Sequence, residues 1–341
     1  MKVDGGPRLD PDVEQITAEA RAQEAAGYDG IWTAETSHDP FLPIAVAAGA
    51  TETLELGTGI AVGFARNPML LANLGWDLQA LTKGRFNLGL GTQIKPHITK
   101  RFSMEWSRPA ARMKEMISAI RAIWDSWLND EPLQFRGDFY RHTLMTPFFT
   151  PDKSDLAEFG TPKVWLAAVG ELMAQTAGEV CDGIICHGFT TERYLREITI
   201  PNIAKGRAKG GKSIDSFLIS APFFVVSGHT DEEMATATAA TRQQIAFYGS
   251  TPAYSKVLEL HGWDGLQPEL NALSKKGEWV EMGRLIDDEI LNTFAVVAEP
   301  EGVAPELRRR YGDIVDRISF YAPGQSDISQ WRPVMEQLKA N

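Results

Sequence analysis

Long hydrophobic runs, cysteine and surplus positive charge are all scarce in this chain. No stretch of its 341 residues is apolar for the roughly 20 positions that a membrane-spanning helix needs. The opening Met1-Lys2-Val3-Asp4-Gly5-Gly6-Pro7 also lacks the apolar core of a signal peptide. A soluble, cytoplasmic protein is therefore expected. Only two cysteines occur, Cys181 and Cys186, flanking Asp182-Gly183-Ile184-Ile185. Residues five apart on a strand point to opposite faces, so a disulfide between them is not expected; they read as reduced core thiols. Lysine and arginine number 34 against 45 acids, a net charge of −11, which argues against a nucleic-acid partner. Hydrophobic residues make up 43% and charged residues 23%, ordinary for a folded chain long enough to bury a large core.

What is present is an alternation of short β-like runs and amphipathic helical stretches. Strands are expected at Lys2 to Asp4, Gly30 to Thr33, Leu54 to Ile60, Phe86 to Leu90, Val164 to Ala168, Gly183 to Cys186, Phe217 to Val226 and Arg317 to Phe320. Helices fall between them, among them Pro11 to Ala26 closed by Gly27, Pro40 to Thr51, Pro68 to Leu81, and Arg108 to about Leu128. Strict alternation implies parallel neighbours, and eight units in one chain imply a closed barrel. The expected fold class is thus α/β, a (β/α)8 TIM barrel with insertions after helix four and after strand seven, residues 1–341 forming a single domain. The first insertion, Asn129 to Gly160, contains a hairpin-like Phe135-Arg136-Gly137-Asp138-Phe139-Tyr140; the second, Gly249 to Arg284, is longer, polar and Trp-bearing.

One motif is a decoy. Gly206-Arg207-Ala208-Lys209-Gly210-Gly211-Lys212-Ser213 matches the phosphate-loop pattern letter for letter. That chemistry needs a strand before the glycines and a helix after them. Here a helix precedes and the apolar run Phe217-Leu218-Ile219-Ser220 follows, so the segment reads as a connection on the face opposite a barrel's active site.

Barrel enzymes carry their chemistry where strands end. Strand two ends in Ala34-Glu35-Thr36-Ser37-His38-Asp39-Pro40, a cluster of acids, hydroxyls and an imidazole of the kind proton transfer uses. Glu35, Thr36 and His38 are the candidate catalytic residues, with helix capping by Asp39 or Ser37 as the competing explanation. Strand three runs Leu56-Gly57-Thr58-Gly59-Ile60-Ala61-Val62-Gly63 and strand four Phe86-Asn87-Leu88-Gly89-Leu90-Gly91-Thr92. Gly59 and Gly91 fall near strand ends, where either a flat ring lying on the backbone or crowding inside a barrel accounts for them.

These segments and their spacing, with Val164-Trp165-Leu166-Ala167-Ala168-Val169-Gly170 and Ala177-Gly178-Glu179-Val180-Cys181-Asp182-Gly183, resemble the bacterial luciferase-like superfamily of flavin and deazaflavin enzymes. Glu35-Thr36-Ser37-His38-Asp39-Pro40-Phe41-Leu42-Pro43 and Arg101-Phe102-Ser103-Met104-Glu105-Trp106-Ser107-Arg108-Pro109 resemble an actinobacterial-type branch assigned to coenzyme F420. The likeness covers nearly the whole chain. It implies a non-prolyl cis peptide at Gly59-Ile60 behind the middle ring of the cofactor, with Gly91 and Thr92 along the ring edge. It further implies a phosphate site at Val169 and Gly170, with strand six ending at His187 and Gly188 beside the cofactor. The superfamily's sugar-phosphate dehydrogenases place a histidine at the end of strand two and a glutamate after strand four; the matching positions here are near Thr36 and at Ile94.

Between Thr92 and Lys114 lie Lys95, Lys100, Arg101, Arg108, Arg112, Lys114 and His97 against Glu105 alone. Such an island in an acidic chain suits an anionic ligand, or else a solvated face with arginine stacked on Trp106. The expectation is a coenzyme F420-dependent oxidoreductase transferring hydride to or from a small organic substrate. An FMN-dependent monooxygenase and a non-catalytic flavin-binding relative are the alternatives. A homodimer is expected, with no metal, nucleic acid or membrane partner.

Overall fold

The first long helix shows why local sequence and structure agree. Asp12 accepts the backbone N–H groups of Glu14 and Gln15, both at 2.9 Å, and starts Val13–Ala26. Gly27 closes it at φ 91°, a left-handed conformation that glycine adopts without steric cost. The computed structural model describes residues 1–6, 12–324 and 328–340. Pro11, the expected first residue of that helix, lies outside the described residues.

Eight strands alternate with helices: β1 Lys2–Gly5, β2 Gly30–Thr33, β3 Glu55–Thr58, β4 Phe86–Gly91, β5 Lys163–Ala168, β6 Gly183–Cys186, β7 Leu218–Val226 and β8 Arg317–Tyr321. Their order in the sheet is β7-β8-β1-β2-β3-β4-β5-β6, and β6 also pairs with β7, the strand order of a (β/α)8 barrel. By internal contacts the chain divides into two compact units.

The first unit comprises 5–185 and 202–218. β2 pairs with β3 (Gly30 opposite Glu55), β3 with β4 (Leu56 opposite Phe86) and β4 with β5 (Asn87 opposite Lys163), all parallel. Strand three is shorter than Leu54 to Ile60. It stops at Thr58, the Gly59–Ile60 peptide is cis, and pairing with β4 resumes only at Ala61–Val62. The helix expected over Pro40 to Thr51 covers Phe41–Ala50. Helix Pro109–Asn129 packs on Pro68–Leu81, where Trp124 Nε1 donates to Ala72 O at 3.0 Å and Trp76 meets Trp127 edge to face. The hairpin forms as Phe135–Arg136 against Arg141–His142.

The decoy glycines have a packing reason. Gly206 sits inside helix Ile200–Lys209, and a Cβ there would lie 2.0 Å from Gln175 O; one on Gly210 would lie 2.6 Å from Glu179 O. Their smallness lets this helix lie against Glu171–Val180. The order remains helix, loop, strand, with Arg207 holding the loop through Ser213 O (2.7 Å) and Ser216 Oγ (2.7 Å).

The second unit comprises 1–4, 186–201 and 219–341. β1 pairs with β8 (Lys2 opposite Arg317) and β7 with β8 (Ser220 opposite Arg317). Asp4 and Arg317, both buried, form a bidentate pair at 2.8 and 2.5 Å. The excursion over 249–284 is helical (Ser255–Leu260, Leu266–Lys276, Trp279–Arg284) and buries Val257, Leu258, Leu270 and Met282 in a core with Phe189, Phe224 and Phe294. The strand Ala295–Val297, which pairs with β7, goes unrecognised in the sequence because three residues are too few to show a period of two.

Candidate functional site

In the first unit, the ends of β2 and β3 are tied by backbone and side chain together. Gly59 N–H donates to Thr33 O at 2.7 Å and Glu35 N–H to Ile60 O at 3.1 Å. The Glu35 carboxylate accepts Val62 N–H at 2.7 Å and the Arg66 guanidinium at 2.5 Å. Arg66 also reaches Val62 O (3.2 Å) and Asp39 (3.0 Å) and lies over the Phe41 ring. The Glu35 and Arg66 side chains are 8% and 15% exposed, so the pair is screened little by solvent. Glu35 is thus committed on both sides, and its visible work is to fix the backbone over 59–62.

Asp39 accepts Phe41 N–H at 2.8 Å, so the capping explanation accounts for it. Thr36 and His38 are exposed; Thr36 O accepts from Arg101 at 2.5 Å. The glycines at 59 and 91 face protein side chains. A Cβ on Gly59 would lie 3.2 Å from Trp32 Cβ, and one on Gly91 2.8 Å from the Ile60 side chain. A side chain at either position would crowd a neighbour, and the backbone of 59–60 is pinned by Thr33 and Glu35. Thr92 follows β4, its hydroxyl donating to Gln93 O at 2.9 Å. Gly170 is the N-cap of Glu171–Val180 and brings no side chain to that end, so its first-turn N–H groups have no capping oxygen from the cap residue. Val169 immediately precedes it.

The basic island divides in two. Lys114 pairs with Glu179, and Arg108 with Asp138. Arg112 is buried, donating to Tyr140 Oη (3.0 Å) and Glu105 O (2.6 Å) with its guanidinium over Phe64, which makes it structural. Lys95, Lys100 and Arg101 are exposed after β4 and have no carboxylate partner among the described residues. That remainder is the part of the island that can meet an anion.

In the second unit, His187 follows β6 and is closed in by aromatic rings. Its Nδ1 accepts Phe189 N–H at 3.0 Å and its Nε2 lies 3.2 Å from Tyr254 Oη. Tyr248 meets the imidazole edge to face at 4.7 Å, and Tyr248 Oη lies 2.9 Å from Tyr321 Oη. Burial pushes the His187 imidazole down to about 4, so it is neutral near pH 7. Gly188 has a steric reason, since a Cβ there would lie 3.1 Å from the Tyr321 ring.

The structure therefore brings together Glu35, Gly59 and Ile60, and Gly91 with Ile60, in one unit, with Thr92, Val169 and Gly170 at strand ends of the same unit. His187 and Gly188 stand in the other unit among tyrosines. Arg66 was missed in the sequence, although it stands eight residues after Thr58 and just before Asn67, the N-cap of the helix that Pro68 opens. Tyr248, Tyr254 and Tyr321 carry no sequence signal, because nothing local joins a helix end, a turn and a strand end.

Residues 1–317 match the family described as luciferase-like monooxygenase. A Mycobacterium tuberculosis protein of uncharacterized function is 52% identical over 331 residues, 96% of each chain. An F420-dependent glucose-6-phosphate dehydrogenase from Nocardia farcinica is 33% identical over 221 residues, 62% of each chain. Among solved structures, the coenzyme F420-dependent tetrahydromethanopterin reductase from Methanopyrus kandleri superposes with a TM-score of 0.76 at 18% identity, covering 99% of this chain and 96% of the other, a likeness of fold. No helix among the described residues is long and apolar enough to cross a membrane.

Proposed function

The chain belongs to the luciferase-like monooxygenase family of oxidoreductases, and from that premise we propose that it moves hydride between coenzyme F420 and a small organic substrate. The observation that carries the choice of cofactor is the exposed trio Lys95, Lys100 and Arg101, cations without carboxylate partners among the described residues, in a chain of net charge −11. F420 carries a phosphate and a glutamyl tail, so it offers that trio more negative charge than a neutral ligand would. The likeness to an F420-dependent dehydrogenase supports the same reading.

In this reading the residues present fit the cofactor. The pinned backbone at Gly59 and Ile60 supports the ring, and Gly91 and Thr92 border it. The N–H groups after Val169 and Gly170 hold the phosphate at a helix N-terminus. The bound deazaflavin supplies two-electron hydride chemistry, and the protein supplies position and charge. Glu35 keeps the support rigid through Arg66, leaving Thr36 and His38 to contact substrate. Two chains associate as a homodimer, and neither nucleic acid nor membrane is a partner.

The family's description as monooxygenase favours one second reading, FMN as cofactor. Fluorescence titration of the purified protein with each cofactor separates them. F420 is expected to bind at micromolar concentration or better and FMN at least tenfold more weakly, about 1.4 kcal/mol. Equal or tighter FMN binding refutes the F420 assignment.

A further inference from the structure

The three most exposed large apolar side chains among the described residues stand within six positions of one another. Phe148 is 89% exposed, Leu144 79% and Phe149 71%. All three belong to the first unit, in the insertion that follows helix Pro109–Asn129. Single apolar residues on a surface are ordinary, but a contiguous patch marks a contact site. This patch is also held in place. Phe149 N–H donates to Thr146 O at 2.9 Å and the Thr150 hydroxyl to the same oxygen at 3.1 Å, which fixes the turn Pro147–Phe149. Met145 anchors the segment, its Sδ accepting Trp127 Nε1–H at 3.4 Å. The two phenylalanine rings meet edge to face at 5.1 Å, so little ordering is left to do when a partner covers them. Charge is divided across the patch. On the hairpin side, Glu115 accepts the N–H groups of Asp138, Phe139 and Tyr140 at 2.9, 2.7 and 2.7 Å. Arg136 and Arg141 are exposed there, without a carboxylate partner among the described residues. On the other side Lys153 pairs with Asp130, about 22 Å further along the helix axis at 1.5 Å per residue. Asp155 and Glu158 are exposed on that side, without a cation partner among the described residues.

Resting on the homodimer reading above, we propose that this face is where two copies of the chain meet, about a two-fold axis running through the Phe148 and Phe149 patch. In a two-fold contact each surface meets its own copy turned round. The arginine flank of one chain then lies on the carboxylate flank of the other, with rings against rings between them. At about 200 Å² for each ring, the exposures above leave about 300 Å² of phenylalanine surface in water. Two copies bring together about 600 Å², more than a third of the roughly 1,600 Å² that a standard interface buries, before Leu144 and the charged flanks are added. Six acids against three bases over 129–160 make an anionic lipid surface a poor occupant.

Sedimentation velocity of the full chain from about 1 to 100 μM reads the oligomer, and the unmutated protein is expected to be a dimer over that range. Phe148→Ser together with Phe149→Ser should weaken dimerisation by about 100-fold or more. The far-ultraviolet circular dichroism spectrum should not change, since both rings lie in water. Arg136→Glu with Arg141→Glu should weaken the dimer about tenfold, and adding Asp155→Lys and Glu158→Lys to the same chain should restore it. This charge exchange decides by itself if the serine variant fails to fold. A dimer that persists unweakened in the folded serine variant overturns this face while the homodimer reading stands. Loss on the first charge reversal that the second does not restore overturns the two-fold arrangement. A chain that stays monomeric throughout the range removes the homodimer reading and this face with it. A monomer that instead sediments with phosphatidylglycerol vesicles gives the patch to a membrane surface and overturns the proposal.

Discussion

Acid should weaken this fold through His187 before it touches the carboxylates. The imidazole has an ordinary value of 6.5 and is pushed down to about 4 by burial, so it is neutral in the folded protein where the unfolded chain would be protonated. The unfolded state then binds more protons below pH 6.5, and the stability present above that value is lost as pH falls toward 4. Those two values give a loss of about 2 kcal/mol between pH 8 and pH 5, and about 3 kcal/mol by pH 4. For a chain of this length, 2 kcal/mol corresponds to a fall in Tm of about 3 °C. His142 and His261 are pushed down as well, both chiefly by burial, and add to the slope. Glu306 does not enter this window: hydrogen bonds from Arg309 and Arg310 hold it at about 2, so its contribution begins to fall only below its ordinary 4.5. The assay is urea unfolding at half-unit pH steps from 8 to 5, on the unmutated protein and on His187→Gln. Glutamine does not titrate, so the variant should lack about 2 kcal/mol of the pH-dependent loss, whatever its stability at pH 8. Parallel curves for the two proteins would refute a buried neutral histidine at this position.

Other perturbations separate structure from chemistry. Glu35→Ala strands Val62 N–H and removes a charged partner of Arg66, and should cost about 3 kcal/mol by urea unfolding; loss of turnover with unchanged stability would instead make Glu35 a reacting group. Gly89→Ala would set a Cβ 1.8 Å from Thr58 O, and should lower stability by more than 3 kcal/mol or prevent soluble expression. Gly49→Ala, in helix Phe41–Ala50 with nothing within 4 Å, should raise stability by about 1 kcal/mol, read as Tm. Lys212→Ala, in the decoy motif, should leave F420 affinity unchanged; ATP hydrolysis that disappears with this lysine would restore the phosphate-loop reading.

Much of the fold was legible because its signals are local. Alternating apolar runs, Gly27 after a helix and Pro68 at the start of one are set by near neighbours, so they placed eight strands and most helices within a residue or two. Order and spacing of strand-end segments likewise carried the family, and the helix-before-strand order exposed the phosphate-loop decoy. Side-chain roles at the site were not local. Glu35 is one of three candidate proton carriers in the sequence, and only the fold shows that Arg66, 31 residues on, holds its carboxylate. Gly59 and Gly91 read in the sequence either as a seat for a ring or as relief of crowding, and the atoms a Cβ would crowd, those of Trp32 and Ile60, come into view only in the fold. Half of the cation island is spent on Glu179, Asp138 and Tyr140, partners from other parts of the chain. The sequence states which groups are available. Which of them are already satisfied depends on the directions of hydrogen bonds and on burial, and packing between distant segments decides both.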